Sequence, residues 1–423
     1  MNRSSFRLVV VADVGWEGTR HLGDEAMLEA NLQVLRRLIP GVRFTVVGCD
    51  PAWIADYFGV DSVLTFGFSR DPSAGASRAE LLDRLIADAT SCAQRSGPKK
   101  KPGNFTSAIT MALAGADALL VSGGGNLSST WPDLLYERVA LLQIARILGK
   151  RAVVVGQTIG PSLDTNEFQL LSQALSSARF VGVRERPSAA LALKLGVPPE
   201  RLWYQSDDAL FLGTSPKPFT TDSHTTARIT APQIAVTIDP QIRAAGEIMF
   251  NALVSQLREI SLITGARLAL VPHVFGHESA AVASDLTEAN LLAEALALSS
   301  TVVLAGLDAK RAIRVTNEAS LVISTRYHPI VFGLSAGVPA IGIYGDEYCR
   351  IKLQGALAHA ELERWTLTYE EVARGVLLPR TLKLWRKRQQ IRRQIELHSE
   401  AWRVEFHDRW TAVLHALEVE KQP

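Results

Sequence analysis

The sequence predicts an α/β protein with two parallel-sheet halves and a helical C-terminal tail, on three observations. Short β-branched runs alternate with amphipathic segments along most of the chain. A Ser-, Thr- and Pro-rich stretch near Leu212 to Gln233 breaks the rhythm, which then restarts. From Leu377 to Leu417 only helical spacing remains. A β-α-β-α order implies parallel strands with helices on both faces.

Arg7–Ala12, RLVVVA, reads as a buried strand. Asp24–Ile39 reads as a helix, because Ala26, Ala30, Val34 and Leu38 recur every fourth residue with Met27 and Leu35 beside them. Pro40-Gly41 ends it. Arg43–Gly48 and Ala118–Ser122 are strands, and Leu134–Leu148 is a helix closed by Gly149. Arg151–Gly156 and Arg179–Arg184 are the next strands. Beyond the interruption, strands are expected at Ile234–Ile238, Arg267–Val271, Thr301–Leu304, Ser320–Ser324 and Val338–Ile343. Helices fall between them, most clearly Gly246–Thr264 and Ser279–Leu298. The tail spaces Trp385, Ile391, Ile395, Trp402, Phe406 and Trp410 as a helix does. The expected division is 1–212, a linker at 213–233, a second domain at 234–365 and the tail at 366–423. Arg95–Asn104 (RSGPKKKPGN) reads as a solvated loop or as a docking patch for an anionic polymer or membrane.

Composition agrees. The chain has 423 residues, enough for two or three domains, and 47% hydrophobic content supports large cores. Lys+Arg 45 against Asp+Glu 43 leaves a net charge of +2, which argues against a general nucleic-acid coat. Cys49, Cys92 and Cys349 support neither a disulfide framework nor a zinc spacing, and a reducing compartment fits them. No run of 18 uncharged apolar residues exists, so no membrane span is expected. The expected setting is cytoplasmic, with attachment to the inner face of the membrane left open.

In open parallel sheets, ligands bind beyond the carboxyl ends of the strands. After the first strand come Asp13 to Ala26, with glycines at 15, 18 and 23. The spacing is not that of a dinucleotide fingerprint. Gly23, Asp24 and Glu25 either cap the following helix or line a site, and the two are compatible. Gly123-Gly124-Gly125-Asn126 follow another strand, so a ligand or a neighbouring loop comes close to that backbone. Gln157-Thr158-Ile159-Gly160-Pro161 reads as a polar, tight turn. Arg184 ends a strand and could clamp an anion or pair with Glu185 or Asp208. In the second half, Leu321-Val322-Ile323-Ser324 runs into Thr325-Arg326-Tyr327-His328-Pro329, where a helical pattern begins. Arg326 supplies a permanent cation, and His328 is suited to proton transfer near neutral pH. Pro272-His273 ends another strand on the same expected edge. Tyr344, Tyr348, Arg350 and Lys352 follow the last strand.

These pieces, in this order, resemble the polysaccharide pyruvyl transferase family. The matching residues are Gly23 to Ala26, Gly123 to Gly125, Gln157 with Gly160-Pro161, Arg184-Glu185, Asp207 with Ala209, and Pro272-His273. They continue with Ser324 to His328, Gly337-Val338-Pro339, and Lys352 with Gly355, so the likeness runs from about residue 7 to about residue 360.

The resemblance implies two Rossmann-like domains facing across a cleft, similar to B-type glycosyltransferases. It implies transfer of pyruvate from phosphoenolpyruvate onto two sugar hydroxyls, giving a ketal and phosphate. Arg184, Arg326, Tyr327 and Lys352 would hold the donor, with His328 catalytic. The family lysine falls at Tyr348 by distance, four residues before Lys352, so either position could take that role. Gly23, Asp24, Glu25, Gly124, Gly125, Asn126, Gln157 and His273 are expected on the acceptor side. The acceptor is a sugar, with a lipid-diphosphate-linked form as one candidate. No metal and no cofactor beyond the donor substrate are expected. A nucleotide-sugar glycosyltransferase and a non-catalytic ligand-binding relative are the rival readings.

Overall fold

The computed structural model describes residues 5–15, 19–68, 77–95, 107–212, 232–276 and 284–419. In chain order the first strands are β1 (Arg7–Val11), β2 (Arg20–His21), β3 (Arg43–Gly48), β4 (Asp61–Leu64), β5 (Ala118–Val121) and β6 (Gly124–Leu127). Then come β7 (Arg151–Ile159), β8 (Phe180–Val183), β9 (Leu202–Tyr204), β10 (Gln233–Thr237) and β11 (Arg267–Leu270). The last are β12 (Val274–Phe275), β13 (Thr301–Val303), β14 (Leu321–Ser324), β15 (Ala340–Tyr344) and β16 (Thr366–Thr368).

The chain divides into two compact units. The first holds a parallel sheet ordered β4-β3-β1-β5-β7-β8-β9, with β6 beside β7. The second holds a parallel sheet ordered β13-β11-β10-β14-β15-β16. The central strands read as unbroken apolar runs because helices cover both faces of a parallel sheet. Val9, Leu119, Val154 and Val181 meet in the first core, and Ala235, Leu268, Ile323 and Ile341 in the second. Among the described residues no helix is long and apolar enough to cross a membrane.

The unit boundaries differ from the expected division. The first unit is Met1–Glu17, Asn31–Ser206 and Val404–Pro423; the second is Gly18–Ala30 and Asp207–Arg403. The early segment joins the second unit through backbone pairing and core packing. β2 pairs antiparallel with β12, matching His21 to Val274 and Arg20 to Phe275. The Leu22 N–H donates to the His273 carbonyl at 3.0 Å. Leu22, Ala26, Met27 and Ala30 are buried in the second core, as are Ala209, Leu210 and Leu212. The helix Leu22–Leu38 thus starts in one unit and ends in the other. The tail is one helix, Leu377–Ala416, also divided between the units.

Two expected loops are strand. Gly124–Leu127 pairs with β7, which continues through Ile159 beyond its expected end at Gly156. Gly156 takes φ +59°, where the register with β8 shifts. Such an extension satisfies backbone groups that would otherwise lie buried without partners. The edge strands β4, β9 and β16, of three or four residues, carry too little pattern to be expected. Residues 96–104 of the basic loop, Trp16 to Gly18, 213–231 of the linker and the start of the expected Ser279 helix lie outside the described residues.

Candidate active site at the strand tips of the second unit

Three adjacent strands, β11, β10 and β14, end side by side. His273 follows the first, Asp239 the second, and Arg326 with His328 the third. The tips are stitched together: the Asp239 N–H donates to Thr325 Oγ1 at 2.9 Å, and the Thr325 N–H to the Thr237 carbonyl at 3.0 Å. Ser324 Oγ accepts from the Arg326 N–H at 2.9 Å and donates to the Arg326 carbonyl at 2.7 Å. This closed turn sets Arg326 as the N-cap of the helix Tyr327–Ser335. Pro329 is tolerated there because first-turn N–H groups lack intrahelical acceptors anyway.

Asp285 holds the cluster. Its carboxylate, fully buried, accepts Arg326 Nη2 at 2.6 Å and Arg326 Nε at 3.2 Å. The same carboxylate accepts the backbone N–H groups of His273 and Val274 at 3.1 and 3.0 Å. Burial alone would lower the Arg326 pKa, but Asp285 and Asp239 more than offset this and keep it fully cationic. Burial likewise raises the Asp239 carboxyl above its ordinary range, against the pull of Arg326. Burial pushes the nearby Cys349 thiol up to about 12, so it is not a thiolate at neutral pH.

His328 is 14% exposed, with its Nε2 4.0 Å from Asp207 Oδ2. The other Asp207 oxygen accepts the Ala209 N–H at 2.8 Å, which fixes that carboxylate. Gly23 lies directly against the imidazole: a Cβ there would stand 1.7 Å from His328 Nδ1. Gly23 is therefore required by contact. Phe332 and Tyr327 flank the same ring at 6.0 and 5.0 Å between centroids. Lys352 Nζ is 3.3 Å from the Tyr348 hydroxyl and 5.6 Å from the Tyr327 ring centroid. Tyr348 and Lys352 are four residues apart on the helix Glu347–Ala358 and share a face.

His273 is buried, and neither ring nitrogen has a hydrogen-bond partner among the described residues. Burial, then the charges of His328 and Arg326, hold its pKa well below the ordinary histidine value.

The second unit thus gathers His328, Arg326, Tyr327, Lys352, His273 and Gly23. It also takes Asp24, 3.6 Å from His21, and Glu25, whose buried carboxylate binds Arg20 through two nitrogens at 2.5 and 2.7 Å. These three residues were expected opposite His328, together with Gly124, Gly125, Asn126 and Gln157; the β2–β12 pairing puts them on the His328 side. The latter four lie in the first unit, where Gln157 Nε2 donates to the Ser122 carbonyl. Arg184 is there too, 1% exposed, donating to the Gly124 carbonyl at 3.3 Å and to Thr158 Oγ1 at 2.6 Å. Thr158 and Ser188 each donate to Glu185 at 2.8 Å, completing a buried network. Asp285 and Asp239 were missed. Asp239 stands between a strand and a proline, a readable signal, whereas Asp285 falls inside a helix expected from Ser279 and nothing in that pattern marks its place beside the N-cap Ser284.

The family model for polysaccharide pyruvyl transferases matches residues 21–347. The chain belongs to that family. No curated protein sequence matches it. Among solved structures, the S. aureus MnaA–UDP co-structure is 10% identical with a TM-score of 0.60, covering 99% of this chain and 98% of that one. UDP-GlcNAc 2-epimerase from Neisseria meningitidis, bound to UDP-GlcNAc, is 10% identical with a TM-score of 0.56 over 92% and 94%. MurG from Acinetobacter baumannii is 12% identical with a TM-score of 0.52 over 93% and 95%. At these identities the likeness is one of fold. This pyruvyl transferase family member has two parallel-sheet α/β domains of the B-type glycosyltransferase kind, as the sequence led us to expect.

Two stability measurements check the cluster. Asp285→Ala leaves Arg326 without its carboxylate and two backbone N–H groups without an acceptor. It should cost about 3 kcal/mol in urea unfolding, more than Asp285→Asn, which keeps an acceptor. His273 stays neutral in the folded state, whereas the unfolded chain takes a proton below about pH 6.5. Its contribution to stability is full above that pH and falls by about 1.4 kcal/mol per pH unit below it. Unfolding curves at several pH values should show a slope that His273→Gln reduces by this amount.

Proposed function

We propose that this protein transfers the pyruvyl group of phosphoenolpyruvate to two hydroxyls of an acceptor sugar. The products are a cyclic ketal and inorganic phosphate. The observation that carries this reading is His328, seated between Gly23 and the buried Asp207 carboxylate, two residues beyond Arg326.

Phosphoenolpyruvate carries a carboxylate and a phosphate, so it needs cations around a proton donor. Arg326 and Lys352 supply the charge, and the first turn of the helix Tyr327–Ser335 adds a favourable dipole. Arg184 is left out of this cradle, because its guanidinium is buried within the first unit. Protonated His328 gives its proton to the methylene carbon of the donor. The neighbouring carbon becomes electrophilic, and an acceptor hydroxyl attacks it, returning its proton to the imidazole. Phosphate then leaves with the C–O bond electrons as a second hydroxyl attacks. Of the two hydroxyl protons, one ends on the new methyl group and one on phosphate. Asp207 keeps the ring oriented and steadies its cationic form. A sugar acceptor fits the family; Asp24 and Glu25, on the second unit with His328, are the proposed acceptor contacts.

The test is phosphate release from phosphoenolpyruvate with candidate sugar acceptors, with the ketal identified by mass spectrometry. His328→Ala should lower turnover by about two to four powers of ten with an unchanged unfolding midpoint. Near-normal turnover would remove His328 from the reaction, and turnover with a nucleotide sugar instead would favour glycosyl transfer. Gly23→Ala should displace the imidazole and lower turnover about a hundredfold. Combined with His328→Ala, it should cost nothing further in rate.

A further inference from the structure

The helix Leu377–Ala416 carries a charge pattern that the reaction does not use. Between Leu377 and Ile395 it holds seven cations, Arg380, Lys383, Arg386, Lys387, Arg388, Arg392 and Arg393, and no acid. The whole chain has a net charge of only +2, so everything outside this stretch is net negative. The cations are segregated.

They fall into two sets. Arg380 donates to the Arg364 carbonyl, Arg388 covers the Trp385 ring at 4.6 Å, and Arg392 pairs with Glu396 at 3.2 Å. These three are spent within the protein. Lys383, Arg386, Lys387 and Arg393 are exposed, and among the described residues their side chains have no ion pair or hydrogen bond. At 100° per residue these four and Leu397 fall within about a third of the helix circumference. At about 1.5 Å per residue, Lys383 to Leu397 spans about 21 Å. Leu397 is 81% exposed, the most exposed large apolar side chain among the described residues. The opposite side, with Leu384, Ile391 and Ile395, is buried in the core of the second unit.

We propose that this face docks the protein on an anionic lipid bilayer. Four unpaired cations in a row on a rigid helix match a flat field of phosphate headgroups. An apolar side chain projecting from the same face fits the boundary between headgroups and acyl chains. A single-stranded nucleic acid would be met by exposed aromatic rings for base stacking. The aromatic residue of this stretch, Trp385, is half-buried under Arg388 instead. The long helix therefore serves twice: its inner face completes a core and its outer face meets the membrane.

The experiment is co-sedimentation of the full chain with vesicles of phosphatidylcholine alone or mixed with phosphatidylglycerol. Binding is expected only to the mixed vesicles, and it should be lost at about 0.5 M NaCl, where the Debye length falls to about 4 Å. Each cation contributes about fivefold, so K383Q/R386Q/K387Q/R393Q should weaken binding about 600-fold and R386Q/R393Q about 25-fold. The pair variant tests the proposal if the fourfold one misfolds. Wild-type protein that ignores phosphatidylglycerol, or variants that bind as wild type does, would overturn the proposal. So would single-stranded RNA captured at concentrations where vesicles are not.

Discussion

One buried carboxylate sets the geometry on which the site depends. Asp285 is the acceptor for the Arg326 guanidinium and for two backbone N–H groups beyond β11. It joins a helix start to the tip of β11, 12 residues before it, and to the tip of β14, 41 residues after it. A charge in that position is stable only because every one of its bonds is made. With Asp285 in place, Arg326 has one orientation, and the helix that carries His328 starts where it must. Asp239, from the strand between, adds a second carboxyl whose raised pKa softens the local negative charge.

A second constraint is steric. His328 rests on a residue that has no side chain. The imidazole occupies the volume a Cβ of Gly23 would fill, and that volume exists only because β2 pairs with β12. The contacts act together: backbone pairing brings the segment over, burial of Leu22 and Met27 retains it, and the glycine admits the ring. Asp207, at the start of the second unit's long segment, then faces the other edge of the imidazole. The catalytic candidate is thus bounded by residues near positions 23, 207 and 328, and no local motif contains all three.

Arg184 and Arg326 look alike in the sequence, each at the end of a strand. The structure separates them. Arg184 is enclosed with Glu185, Thr158 and Ser188 and ties β6, β7 and the following helix together. Arg326 leaves about a third of its side chain open while Asp285 holds its guanidinium. A planar guanidinium serves equally well as an internal pin or as an anion clamp. Residue type alone could not distinguish them; burial does.

The amino-acid sequence by itself determined the class of fold, the order of the central strands' segments and the residues that gather at the second unit's strand tips. Central strands of a parallel sheet are apolar throughout, and helices repeat every third or fourth residue, so both leave a local pattern. The family resemblance, carried by short ordered pieces such as Ser324 to His328, belongs to the same local information. Tertiary structure alone decided which unit holds residues 19–30, that Gly123-Gly124-Gly125 leads into a strand rather than a loop, and that Asp285 anchors Arg326. The first depends on a pairing with residues some 250 positions away, the second on a ladder bond made by the backbone, and the third on a carboxylate 41 residues before its guanidinium, none of which a side-chain pattern records. A three-residue edge strand or a single buried acid leaves too little periodicity to be seen until the chain has closed around it.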